Sequence, residues 1–230
     1  MDQEKSLSEK ESLKIITDMI AQAKGGYYHD SGIGAILWGS VVGLAGFMTF
    51  FQLYFNWSWT FDWWLLALFA LVPQFFITLR ERKNNIVKTH VGLALDTVWI
   101  IFGISIFAIL FYMHRAPPMA NVFMLEDGYA LLRRHVDSGE ITPFSLSIAP
   151  SSGSLLLLIY ALPTMVTGVV KKYWPMIIGA LITYVFFVIS LYTRNPIDQL
   201  LMGVSGLVNW LIPGLMLRAK YNQSRKTGNV

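Results

Sequence analysis

Apolar residues in this chain gather into six long runs, at 32–55, 61–79, 91–113, 155–170, 174–191 and 200–217, each divided from the next by a polar or charged stretch. A helix needs about 17 to 25 predominantly apolar residues to cross a hydrocarbon core, and every run falls near that range. The pattern predicts an all-α fold, a polytopic transmembrane bundle of six spans over 31–217. The connections after the first, fourth and fifth runs are very short, so those consecutive helices are expected to be antiparallel neighbours.

Outside the runs the periodicity changes. In the arm at 1–30, Ser8-Glu9-Lys10-Glu11 fits a capping box ahead of a helical pattern. Leu13, Ile16, Ile20 and Ala23 then form one apolar stripe, widened by Ile15 and Met19, and Gly25-Gly26 marks a stop. Such an amphipathic helix can dock on its own bundle, lie at the membrane surface or bind a protein partner. Leu13, Ile16 and Ile20 are the residues that would make the partner contact. The connection at 114–154 is the one long enough to hold separate structure. Val122, Phe123, Leu125, Tyr129, Leu131, Leu132 and Val136 give it apolar content. A short helix over about 119–136 is expected there, lying as a lid on the ends of the spans.

Charge adds an orientation. Lys5, Lys10, Lys14 and Lys24 precede the first run, Arg80, Arg82, Lys83 and Lys88 follow the second, Lys171 and Lys172 follow the fourth, and Arg218, Lys220, Arg225 and Lys226 follow the sixth. The other three connections hold only Arg115, Arg133, Arg134 and Arg194. Basic residues in short loops stay on the cytoplasmic side, which predicts a cytoplasmic arm, a basic cytoplasmic tail at 218–230 and an extracytoplasmic 114–154. The first 30 residues are charged and lack the apolar core of a cleavable signal, so the first span is expected to act as the insertion signal. Composition agrees: 54% of residues are apolar and 14% charged, against about 25% charged in soluble domains. The net charge of +4 is this bias itself and not a nucleic-acid footprint, since basic and aromatic residues do not interleave on one face.

Candidate chemistry is sparse. Cysteine is absent, which excludes disulfides, thiolate metal sites and cysteine nucleophiles. His114, Glu126, Asp127, His135 and Asp137 lack the spacing of metal ligands, and no nucleotide-binding or hydrolase motif occurs. No enzyme activity, cofactor or metal is expected. Within the runs, polar residues are costly in hydrocarbon and should face the bundle interior. Gln74, Asp96 and Asn209 lie at comparable depth and form a candidate intramembrane cluster, either as interhelical hydrogen bonds or as a proton- or substrate-coupled site. Gly39 and Gly43, with Gly46 behind them, make a flat face for close helix packing, within the chain or in a homodimer. Pro73, Pro163 and Pro213 are expected to kink their helices. Tyr27, Tyr28, Trp57, Trp59, Trp63, Trp64, Tyr173, Trp174 and Tyr192 fall at span ends and are expected to anchor at the headgroups.

Glu11-Ser12-Leu13-Lys14-Ile15-Ile16-Thr17-Asp18-Met19-Ile20, Gly32-Ile33-Gly34-Ala35-Ile36-Leu37-Trp38-Gly39, Leu162-Pro163-Thr164, Trp174-Pro175-Met176-Ile177-Ile178-Gly179 and Trp210-Leu211-Ile212-Pro213-Gly214 together resemble a family of uncharacterised six-span bacterial inner-membrane proteins. The resemblance implies a helical inner-membrane protein and brings no activity with it. Two roles fit the sequence. One is a non-catalytic subunit or regulatory membrane protein that binds a partner through its arm and tail. The other is a small transporter or channel with a polar site around Asp96.

Overall fold

In a computed structural model, residues 13, 31–59, 61–84, 90–144 and 153–226 are described. They form α1 (Ile33–Tyr54), α2 (Leu65–Asn84), α3 (His90–Glu126), strands β1 (Leu132–Arg134) and β2 (Ile141–Pro143), α4 (Gly153–Val170), α5 (Trp174–Ser190), α6 (Asn195–Gly206), a π-helical turn at Leu207–Leu211, and α7 (Ile212–Lys226). The protein is all-helical apart from the small hairpin. Among the described residues four helices are long and apolar enough to cross a membrane: α1, α3, α4 and the unbroken Asn195–Ser224 run through α6 and α7. At 17 residues α5 is shorter, and the last turn of α2 is the charged sequence Arg80-Glu81-Arg82-Lys83-Asn84.

Close packing, not side-chain bulk, builds the centre. Helix α1 presents Gly39, Gly43 and Gly46 to the α6–α7 rod. A methyl carbon on Gly46 would meet the Cα of Gly203 at 2.5 Å, and one on Gly39 would collide with the backbone of Leu211. Gly203, Gly206 and Gly214 return the contact against Gly43, Val42 and Ile36. The two rods therefore touch backbone to backbone over most of their shared length. Helices α4 and α5 form the second pair, and α6 and the π turn join the pairs. Val42, Leu156, Leu157, Tyr160, Met202 and Trp210 fill the space between them. Among the described residues helix α2 packs on α1, and α3 packs on α4 and, through Trp99 and Phe102, on Trp210 of the π turn, with Leu95 the one buried residue of α3.

The expected lid is not what the chain builds. Helix α3 runs on through Pro117 and Pro118 to Glu126, 37 residues in all, or about 55 Å at 1.5 Å per residue. The carbonyls those prolines leave unpaired belong to Met113 and His114, where the apolar run ends and water can reach them. The chain then forms the hairpin, with Arg133 opposite Thr142. Neither strand packs against a described helix.

Three helices end in the same hydrogen-bonded turn. Trp57 N–H bonds to Gln52 O after α1, Tyr129 N–H to Met124 O after α3, and Tyr173 N–H to Gly168 O after α4. Each turn holds one residue in the left-handed region: Asn56 (φ 50°), Gly128 (φ 82°) and Lys172 (φ 50°). Glycine and asparagine are the usual occupants of that position; lysine is not.

Candidate functional site

The buried polar layer starts from Pro213. Proline has no N–H to give the carbonyl four residues back, here that of Asn209. The helix widens just upstream into the π turn, and Ile212 N–H reaches back to Leu207 O. Asn209 sits inside this wide turn, fully buried. Its Nδ2 donates to Thr183 Oγ1 of α5 at 2.9 Å. Thr183 Oγ1 in turn donates to Gly179 O at 3.0 Å and lies 3.3 Å from Ser205 Oγ. Asn209 Oδ1 has no hydrogen-bond partner. It lies against Gly179, where any Cβ would sit 2.9 Å from it.

One step across, two indoles seek acceptors on a single face of α4. Trp210 Nε1 donates to Thr164 Oγ1 at 3.0 Å and Trp99 Nε1 donates to Thr167 Oγ1 at 3.1 Å. The rings of Trp99, Phe102, Tyr160 and Trp210 meet edge-on or tilted, with centroids 5.1 to 6.2 Å apart. This aromatic cluster holds α3 to the bundle.

Near the far end of the bundle from Lys172, Asp198 stands in the first turn of α6 with no exposure to solvent. Thr193 Oγ1 donates to its Oδ1 at 2.5 Å, and its Oδ2 has no partner. Next to it, Gln199 accepts from Trp64 Nε1 at 3.0 Å and donates to Asn195 Oδ1 at 3.0 Å.

The three residues singled out from sequence are placed apart. Gln74 belongs to the α1–α2 seam, where its Oε1 accepts from Trp38 Nε1 at 3.1 Å and its Nε2 donates to Thr78 Oγ1 at 3.2 Å. Asn209 belongs to the α5 seam. Asp96 is exposed on α3, beside the buried Leu95. Gly39 and Gly43 do pack a helix face, against α6 and the π turn of the same chain. Leu13 is helical and exposed; Ile16 and Ile20 lie outside the described residues, as do the capping box, Gly25-Gly26, Tyr27 and Tyr28. Trp57, Trp59, Trp174 and Tyr192 are exposed as anchors should be. Tyr173 and Trp64 are not anchors of that kind: Tyr173 is buried and its hydroxyl donates to Pro213 O at 2.9 Å, while the indole of Trp64 is bound to Gln199. His135 stabilises the hairpin turn, its Nδ1 accepting from Ser138 N–H.

Asp198, Thr183 and the two threonines of α4 escaped the sequence reading. Asp198 lies two residues before the sixth apolar run, where an acid reads as a solvated loop charge. Asn195-Pro196 just ahead of it is a helix-start signal that would have drawn it into the helix.

Fold and polar chemistry together define an all-helical protein with four helices able to cross a bilayer and an interior closed by glycine contacts and threonine-centred hydrogen bonds. No protein-family model, curated protein or solved structure matches the chain.

Proposed function

We propose that the chain is a six-span protein of the bacterial inner membrane, with both termini cytoplasmic, and that it serves as a non-catalytic subunit or regulatory protein binding a partner. On this reading α2 and α5 cross the bilayer as well, α2 at the margin and α5 shielded by its neighbours. The observation that carries the role is where the polar groups go. Gln74, Asn209, Thr164 and Thr167 are spent on bonds between helices, in a centre where backbones touch. That is how a scaffold is built, and a solute path would need those groups free. The distal part of α3 and the hairpin add an apolar limb, with Tyr129, Leu132, Val136 and Ile141 exposed, whose strands none of the described helices covers.

Native mass spectrometry of the protein extracted gently from its own membrane tests this. A protein partner at fixed stoichiometry, lost on combining Leu13→Ser, Ile16→Ser and Ile20→Ser, is the expected result. A lone chain carrying one reproducible small molecule overturns the subunit role.

Asp198 favours a second reading, transport. A carboxylate inside a membrane protein is costly and marks a functional site by default, and one oxygen of this one is buried without a partner. The transport site would then centre on Asp198 and not on the exposed Asp96. Proton flux into dye-loaded proteoliposomes, lost in Asp198→Asn but kept in Asp96→Asn, would support it. Flux equal to that of empty vesicles removes the proton-coupled form of the idea.

A further inference from the structure

We propose that the α4–α5 turn and the first polar turn of α7 form a binding site for the phosphate headgroup of an anionic membrane lipid. This rests on the membrane reading above, which sets this end of the bundle at the cytoplasmic headgroup level. An open pocket of about 300 Å³ lies there, lined by Lys171, Lys172, Tyr173, Trp174, Pro175 and Lys220. Three lysines from two segments distant in sequence line it. Basic pockets between membrane helices on the cytoplasmic side suit anionic headgroups.

Cytoplasmic charge bias alone would scatter lysines along a loop. Here the lysines are held. Tyr173, between Lys172 and Trp174, is buried with Met176 and Leu217, and its hydroxyl bond to Pro213 O ties the turn to the α7 segment that carries Lys220. The Lys220 ammonium lies 5.8 Å from the Tyr173 ring centroid, a cation–π distance. Helix α5 begins at Trp174, so the partial positive charge of its N-terminus adds to the same pocket. Trp174 is 70% exposed and supplies an amphipathic ring of the kind that favours the headgroup layer.

Lys172 supplies the independent argument. The matching turns after α1 and α3 place Asn56 and Gly128 in the left-handed conformation, and this one places a lysine there. A side chain in that region disfavours the local conformation roughly fivefold to thirtyfold relative to glycine. The chain therefore holds a charge at this point where a neutral glycine would make the better turn. A phosphate ester, multiply charged and rich in acceptors, is the chemistry that three ammonium groups around one opening recognise.

The test uses the full chain in nanodiscs of phosphatidylcholine with a minor fraction of phosphatidylglycerol, reading lipid retention by native mass spectrometry. Lys172→Gly should keep or improve folding and lower phosphatidylglycerol retention about fivefold, the effect of one lysine near an anionic surface. Arg80→Gln, a charge removed at the same end outside the pocket, should leave retention unchanged. Equal losses in the two variants would reduce the effect to diffuse charge and overturn the site. A second arm uses pure phosphatidylcholine discs with inorganic phosphate. Phosphate bound there with the same dependence on Lys172 would make the natural ligand soluble and overturn the lipid assignment. Alkaline carbonate extraction of the native membranes separates the remaining case: release of the protein would remove the membrane reading, and this proposal with it.

Discussion

The Thr183 hydroxyl touches three groups at once, accepting from Asn209, donating to Gly179 O and lying beside Ser205. Removing it leaves the Asn209 amide with no described partner, and a buried donor so stranded costs about 1 to 3 kcal/mol. Thr183→Val is therefore expected to lower the thermal midpoint in detergent, while Thr183→Ser, which keeps the oxygen, recovers most of it. Equal midpoints for the two variants would mean that the methyl group matters and the bond does not. Lys172 gives the opposite sign. Replacing it by glycine should raise stability by about 1 kcal/mol by relieving the left-handed backbone. Gln74, Asp96 and Asn209 were expected from the sequence to face the bundle interior; Gln74 and Asn209 bond across helices in separate seams, and Asp96 is exposed. The partners of Gln74 and Asn209 were not legible, since partnership depends on helix rotation about its own axis. The burial of Asp198 is likewise invisible in a hydropathy run, because it depends on how the turn that carries its partner Thr193 folds against the start of α6.

At the scale of elements, the glycine faces decide which helices touch. Gly39→Val is expected to drive α1 from the α6–α7 rod, costing more than about 4 kcal/mol, read as loss of a monodisperse peak in gel filtration. Gly103→Val is the matched control, because a Cβ at Gly103 of α3 meets nothing within 4 Å; it should behave as the parent protein does. A collapse of both variants would point to insertion, not packing, as the step that fails. The ends of α1, α4 and α5 were readable from the apolar runs to within about two residues, the usual scatter of helix boundaries. The rest fell where the signals were mixed. Pro117-Pro118 reads as a break, yet α3 continues through it. Residues 195–199 read as a loop, yet α6 starts there, because a turn opened by proline at its second position, with Asp198 and Gln199 accepting from Thr193 and Trp64, needs no apolar composition of its own.

For the whole molecule, absence of cysteine makes topology directly measurable. Val136→Cys, at a hairpin position 94% exposed, should react with a membrane-impermeant maleimide on intact cells; Lys172→Cys should react only after permeabilisation. The reverse pattern would invert the orientation and place the lysine pocket outside. The bundle itself is two tightly joined pairs with two helices at its margin, and among the described residues α3 meets its core along the stretch from Leu95 to Ile109, through Trp99, Phe102 and Ile106. From Ile109 the rod extends about 25 Å to Glu126, and from Leu95 it extends only about 8 Å back to His90. A beam clamped near one end gears motion unequally. A tilt about Phe102, with arms of about 18 Å to His90 and 36 Å to Glu126, that moves the His90 tip of α3 by one length carries the base of the hairpin about two lengths the other way, and the aromatic clamp around Trp210 is the fulcrum through which any load on that limb is felt by the rest of the protein.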